Sequence, residues 1–271
     1  MSQDRPAPRV AALEWSSAEI AFLLGVPPLG LAERQGYEQW VGIGASELRE
    51  AVDLGRRQQP SLEALLRLRP ETILASTHRH SAIEGQLSAI APTHLVPDQP
   101  ADFDFFGAVL DATGFVGSVL GREREAEHLL GNFHLRLEQL RERAQAGGLA
   151  GLRVVLAQPL SGVARLRIFT ANSAVIQALA RIGLEPAMAG TTEPFGFTTM
   201  GLEDLAGLSP ETRFLLMDER EPAELAASAV WPLLPVVAAG GVVPIGARLW
   251  PFGATGSLIE IAEAVLVSLS E

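Results

Sequence analysis

Apolar residues fall along this chain in two patterns, short uninterrupted runs and stripes at helical spacing, and the two alternate. Arg9-Val-Ala-Ala-Leu13 is a short apolar run of the kind that forms a buried strand. Ser16 or Ser17 then offers an N-cap for a helix through Leu24, which Gly25 ends. Ser61 to Leu68 reads as a second helix with Leu62, Leu65 and Leu66 at helical spacing. Pro70 stops it, and Thr72 to Ala75 is the next strand. This rhythm of strands and helices predicts a parallel sheet covered by helices.

The second half repeats the pattern. Leu152 to Ala157 reads as a strand, Ser173 to Arg181 as a helix ended by Gly183, and Phe214 to Met217 as a strand. Gly201-Leu-Glu-Asp-Leu-Ala-Gly-Leu-Ser-Pro-Glu-Thr212 matches Ser61-Leu-Glu-Ala-Leu-Leu-Arg-Leu-Arg-Pro-Glu-Thr72 at a constant offset of 140, which argues for two lobes built alike. Between them Arg122 to Ala146 predicts one long helix, with Ala126, Leu129, Leu130, Phe133, Leu137 and Leu140 as its apolar stripe. At ~1.5 Å per residue it spans roughly 37 Å, enough to run from one lobe to the other. The expectation is therefore an α/β protein of two lobes, 1–120 and 148–271, with mostly parallel sheets flanked by helices. A connector helix over 121–147 joins them, and a ligand cleft lies between them.

Composition narrows the chemistry. Among the 271 residues there is no cysteine, which excludes disulfides, thiolate metal sites and cysteine nucleophiles. There is no lysine either, since all 21 basic residues are arginine, so Walker A, Schiff-base and catalytic lysines are excluded. With a net charge of −11 and no basic patch, nucleic acid is not an expected partner. No apolar run of membrane-spanning length occurs. The polar stretch Met1 to Pro8 lacks the apolar core of a secretory signal. That fits a cytosolic protein or one from which the signal has been removed.

Catalytic motifs are thin: G-x-S-x-G, H-E-x-x-H and G-x-G-x-x-G do not occur. His78-Arg-His80 follows a strand, where two imidazoles could take a metal or simply be hydrogen-bonded. His128 and His134 are six residues apart on the long helix and point to different faces, and His94 lies in a loop. Aromatic residues are few, and several fall in loops: Tyr37 and Trp40, Phe195 and Phe197 in Pro-Phe-Gly-Phe, Trp250 and Phe252 in Trp-Pro-Phe-Gly. Packing accounts for any one of them; together they suit a ligand. Arg57, in Asp53-Leu-Gly-Arg-Arg-Gln-Gln-Pro60, has no local partner in the sequence.

These segments resemble a known family. Val10-Ala-Ala-Leu-Glu-Trp15, Leu24-Gly-Val26, Tyr37-Glu-Gln-Trp-Val41, Val52-Asp-Leu-Gly55 with Arg57 and Pro60, Ile90-Ala-Pro92, Phe169-Thr-Ala-Asn-Ser173 and Trp250-Pro-Phe-Gly-Ala254 occur in the order seen in periplasmic ferric-siderophore-binding proteins of ABC importers. The likeness is greatest to those that bind ferric hydroxamates. It implies two lobes joined by one long helix, periplasmic location after loss of a signal peptide, a monomer, no cofactor and no enzymatic activity. The partners it implies are a ferric siderophore and the two permease subunits of an inner-membrane transporter. It also implies that Arg57 contacts the iron-bound oxygens and that Trp40, Phe195, Trp250 and Phe252 form aromatic walls, with His80 where the family's hydroxamate binder has a tyrosine. Phe195 and Phe252 stand in place of a tryptophan and a tyrosine. Glu84 and Glu203 match the acidic residues with which each lobe docks on the permease. Competing ligands are haem, cobalamin and catecholate siderophores, the last favouring several basic residues, for which only Arg57, Arg79 and Arg248 are candidates. Direct zinc or manganese binding would rest on His78 and His80, and an α/β enzyme would need an activated nucleophile or acid–base pair.

Overall fold

The structure is a computed structural model that describes residues 8–188, 190 and 192–270. The polar stretch Met1 to Ala7 lies outside the described residues. The chain forms two compact units, each assembled from separate pieces. The first takes the chain through Pro100, with Gly107–Phe133 and Phe252–Ser257. The second takes Ala101–Phe106, His134–Pro251 and the chain from Leu258.

The first unit holds five parallel strands, β1 (Val10–Ala12), β2 (Gly30–Leu31), β3 (Val52–Asp53), β4 (Thr72–Ser76) and β5 (Thr93–Val96), in the order β3-β2-β1-β4-β5. Register pairs Ala11 with Gly30 and Ile73. The apolar runs read as buried strands because both faces are covered. Val10 and Leu74 pack into one cluster with Ile20, Leu24 and Val116, while Ala11, Ile73 and Ala75 pack into another with Leu54, Leu65 and Leu87. A side-chain period of two therefore leaves no polar face to alternate with.

The second unit holds β6 (Arg153–Pro159), β7 (Arg165–Phe169), β8 (Glu185–Pro186), β9 (Phe197–Gly201), β10 (Arg213–Leu216) and β11 (Val242–Pro244). Their order is β11-β10-β6-β7-β9, with β8 beside β6. β7 runs antiparallel to β6 and β9, so this sheet is mixed. Its core gathers Val155, Leu166, Ile168, Phe214 and Leu216 with Trp231. The internal repeat is visible in the packing: Leu65 and Leu205 are both buried, as are Thr72 and Thr212. The helix predicted from the first copy spans Leu62–Leu68, but the second copy is only a 3₁₀ turn, Glu203–Leu205. Gly207 stands where the first copy has Arg67, and glycine is a poor helix residue.

The first helix is Trp15–Leu23, capped by Glu14 rather than by Ser16 or Ser17. The long helix is Glu123–Ala146 and contributes to both units. Its stripe is buried at Ala126, Phe133, Leu137 and Leu140. A helix absent from the sequence-based reading, Phe105–Leu120, precedes it. Its glycines weaken the helical signal, but Gly117 is required: an added Cβ would lie 2.6 Å from the Cβ of Ala126.

One buried carboxylate closes the first unit. Glu19, fully buried on the first helix, accepts hydrogen bonds from the amides of Ala254 (2.9 Å) and Ser257 (2.8 Å) and from the Ser257 hydroxyl (2.6 Å). These are donors at the start of the helix Thr255–Ser270, which have no partner within the helix itself. Burial pushes the Glu19 carboxyl upward, and the four hydrogen bonds from Ser257, Ala254 and Gly256 oppose it. Gly253 makes the approach possible, since a Cβ there would stand 2.7 Å from the carboxylate and 2.2 Å from Ser257 Oγ. Glu19→Ala leaves these donors buried and unpaired, at roughly 1–3 kcal/mol for each such group. A loss of about 3 kcal/mol or more in urea unfolding is expected, with Glu19→Gln intermediate.

Candidate functional site

Because all five strands of the first sheet run the same way, the segments that follow them emerge at one edge. The strand order reverses between β1 and β4, and in open α/β sheets ligands bind outside the carboxyl ends of the strands at that point. Here the residues after β1 include Glu14 and Trp15, those after β2 Glu33, those after β3 Arg57, and those after β4 Arg79 and His80.

They form one network. Arg57 gives Nη1 to Glu14 Oε1 at 2.8 Å and Nε to Glu33 Oε2 at 3.0 Å. Arg79 gives Nε to the other oxygen of Glu14 at 2.5 Å. The Arg57 and Glu14 side chains keep only 13% and 10% exposure. Under the guanidinium lies Trp15, its ring centroid 3.8 Å from Arg57 Cζ, a cation–π stack. Trp15 is fixed in turn: its Nε1 donates to Ala32 O at 3.0 Å, and Tyr37 meets it edge-on at 6.4 Å. Gly36 leaves room for the indole, which an added Cβ would meet at 2.6 Å.

The backbone of Arg57 is held at both ends. Its amide donates to Glu33 Oε1 at 3.2 Å. Glu33 adopts φ 50, ψ 48, a left-handed conformation that costs a non-glycine residue about 1–3 kcal/mol. Strain of that size persists where neighbours hold it, and here the Glu33 amide donates to Gly55 O at 2.7 Å while its carboxylate grips Arg57. The Arg57 carbonyl lies 2.6 Å from His80 Nε2. His80 Nδ1 accepts from the Ser76 amide at 2.9 Å, and since an amide only donates, Nε2 carries the proton and donates to Arg57.

His80 is thus not a surface residue. Sequence matching expects it at the ligand; in the structure the ring is fully buried, with both nitrogens bonded to main chain. It positions the Arg57 loop. His78 is exposed, so the H-x-H pair does not present two imidazoles together, and among the described residues no group of three or more His, Asp or Glu is placed to hold a metal. Arg57 likewise has the partners that its local sequence does not reveal.

Trp40 ends the helix Arg34–Trp40 and is half-buried, as is Phe252, also in the first unit. In the second unit Phe195 is 48% exposed and stacks at a tilt on Phe197 (6.3 Å), which meets Phe169 at 6.4 Å. Arg167 lies over Phe197, 4.6 Å from its centroid, and donates to Gln158 at 2.6 Å. The Phe-Thr-Ala-Asn-Ser motif supports this loop. Asn172 donates to Glu193 O (2.9 Å) and accepts from the Glu193 amide (3.1 Å). Gly196, at φ +69, passes so near Ser173 that a Cβ would come within 3.0 Å. Trp250 is half-buried in the same unit. Glu84 and Glu203 are exposed, each the first residue of a short helical segment.

A family of periplasmic binding proteins matches residues 10–249 of the chain. This chain belongs to that periplasmic binding protein family. Within it, the chain is similar to the Fe(3+) dicitrate-binding periplasmic protein FecB of Escherichia coli (strain K12), at 29% identity over 205 residues; the match covers 74% of this chain but only 64% of that relative. It is similar to the iron(3+)-hydroxamate-binding protein FhuD of the same organism, at 26% identity over 95% of this chain and 85% of the relative. The crystal structure of the siderophore-binding protein FhuD from Vibrio cholerae, bound to Fe3+-Desferal, superposes with a TM-score of 0.86 at 25% identity, covering 98% of each chain. No helix among the described residues is long and apolar enough to cross a membrane.

Burial holds the His80 imidazole below its ordinary value, against the opposing effect of its bond to Arg57. The folded state therefore keeps His80 neutral where the unfolded chain protonates it, so the unfolded state binds more protons and stability falls as pH falls. The contribution is complete above about pH 6.5 and is lost below it, at up to about 1.4 kcal/mol per pH unit for one proton. Urea unfolding between pH 7.5 and 5.5 should show this slope, and His80→Asn should flatten it.

Proposed function

We propose that this periplasmic binding protein captures an iron(III) siderophore of the hydroxamate type and passes it to an ABC permease without acting on it chemically. The observation that carries the reading is Arg57, a guanidinium braced on Trp15 at the strand-order reversal of the first sheet, where ligands of such sheets bind. A ferric siderophore has already filled iron's coordination shell with oxygen donors. Its carrier supplies shape, aromatic surface and a planar fork of donors rather than metal ligands. Arg57, with Trp40 and Phe252 in the first unit, is proposed to meet the complex. Phe195 and Trp250 offer aromatic surface in the second, and His80 serves by holding Arg57. Similarity to the hydroxamate-binding relative over 85% of its length supports the choice of ligand. Membership of the periplasmic binding protein family supports a periplasmic site of action.

Iron-loaded trihydroxamates should quench tryptophan fluorescence with a dissociation constant near micromolar or tighter, roughly −8 kcal/mol. Absence of any signal with ferric siderophores, in fluorescence and calorimetry alike, would refute the reading. Arg57→Ala should weaken binding about tenfold or more, in line with charge-assisted contacts of roughly 1.5–3 kcal/mol.

Glu84 and Glu203, exposed in separate units, are proposed to meet the permease subunits. Glu84→Ala combined with Glu203→Ala should leave siderophore affinity unchanged and reduce siderophore-dependent iron uptake in cells. Normal uptake at normal protein abundance would make both ordinary surface residues.

A further inference from the structure

We propose that Glu14 and Glu33 set the charge of the ligand this protein accepts. Paired in advance with Arg57 and Arg79, they suit the carboxyl edge of the first sheet to a ferric complex of little net charge and not to a polyanionic one. The inference rests on the reading of the protein as a ferric-siderophore binder and narrows it.

The two arginines face two carboxylates within the network: Glu14 bridges Arg57 and Arg79, and Glu33 takes Nε of Arg57. The formal charges of these four groups cancel. Nearby, Asp53 and Asp98 add two negative charges against the one positive charge of the exposed Arg56. Asp53 accepts from the amides of Arg34 and Gly55, and Asp98 from the amide of His78 and the hydroxyl of Ser76, so neither is met by a cation in these bonds. Arg34 turns to Glu38 at 3.8 Å. An edge with this balance offers a polyanion no net attraction.

Ligand chemistry supplies the contrast. Three hydroxamates, each losing one proton, cancel the charge of iron(III). Three catecholates, each losing two, leave three negative charges, and iron(III) citrate complexes are anionic as well. A polyanion would have to displace Glu14 from Arg57, stranding a carboxylate that is only 10% exposed, or settle beside it. A neutral, oxygen-rich complex can meet the accessible part of Arg57 with both carboxylates left in place. The carboxylates thus do two things at once: they hold the guanidinium flat on Trp15 and they cancel its long-range pull on anions.

The test uses the full chain and calorimetry with three probes: iron(III)–desferrioxamine B, iron(III) dicitrate and an iron(III) tris-catecholate. Wild type should prefer the hydroxamate complex. Glu14→Gln and Glu33→Gln remove the charge and keep one of the two accepting oxygens. Each should move the ratio of affinities toward the anionic probes by about tenfold, the scale of one charge-assisted contact. A merely structural role would weaken all three probes alike and leave the ratio unmoved, which would overturn the proposal, as would a wild-type preference for either anionic probe. Glu33, with a side chain 30% exposed, carries the test even where Glu14→Gln fails to fold. If wild type binds none of the probes, the siderophore reading itself fails and this inference falls with it. If it binds the hydroxamate complex and the ratio stays fixed in both variants, only the inference fails.

Discussion

A single carboxylate, that of Glu14, is divided between two arginines at the point where the first sheet reverses its strand order, and much of the first unit is arranged to keep it there. Removing a carboxylate from water costs several kcal/mol, recovered only when its oxygens are met by well-placed donors. Glu14 meets that condition twice over, one oxygen facing Arg57 and the other Arg79, and it caps the first helix by accepting from the Trp15 amide. Breaking any one of these leaves a buried charge short of partners. The surrounding loops are correspondingly constrained: Glu33 is held in a left-handed conformation, Trp15 lies pinned beneath the guanidinium, and His80 locks the carbonyl of Arg57.

The arrangement explains how a chain without cysteine or lysine can present a well-defined polar site. Arginine is suited to the task because its planar fork can satisfy two carboxylates and still stack on an indole, which an ammonium group does not do with the same geometry. The second unit uses the same pairing in milder form, with Arg167 over Phe197 and Asn172 fastening the loop that carries Phe195. In both units aromatic faces and guanidinium groups are placed together, and a glycine allows close packing in each, Gly36 against the Trp15 indole and Gly196 against Ser173.

Two carboxylates of the first helix region, five residues apart, serve different ends. Glu19 is fully enclosed and satisfies the start of a helix near the end of the chain, a long-range bond that ties Phe252–Ser257 into the first unit. Glu14, nearly as buried, sits at the carboxyl edge of the sheet between Arg57 and Arg79. Glu14 is the N-cap and Glu19 lies about 1.4 turns further along, on a different side of the helix.

Much of the architecture could be read directly from the chain. The apolar runs at Val10–Ala12 and Thr72–Ser76, the glycines that end helices and the stripe on the long helix are local signals, because an apolar run, a helix stop and a helical spacing are each properties of neighbouring positions. The two-residue strands β2 and β3 are too short to carry a period, and Phe105–Leu120 hides its helix behind glycines, of which Gly117 is required by close packing on Ala126. The site divides in the same way. Motif matching could single out Arg57, since a residue type at a fixed spacing is a property of sequence. That Arg57 would be paired with Glu14 and Glu33, 43 and 24 residues away, depends on parallel strands delivering their carboxyl ends to one edge. The same folding turned His80 inward. A histidine's chemistry is set by what surrounds it, and its surroundings here, the Ser76 amide and the Arg57 carbonyl, exist only once β3 and β4 have taken their places in the sheet.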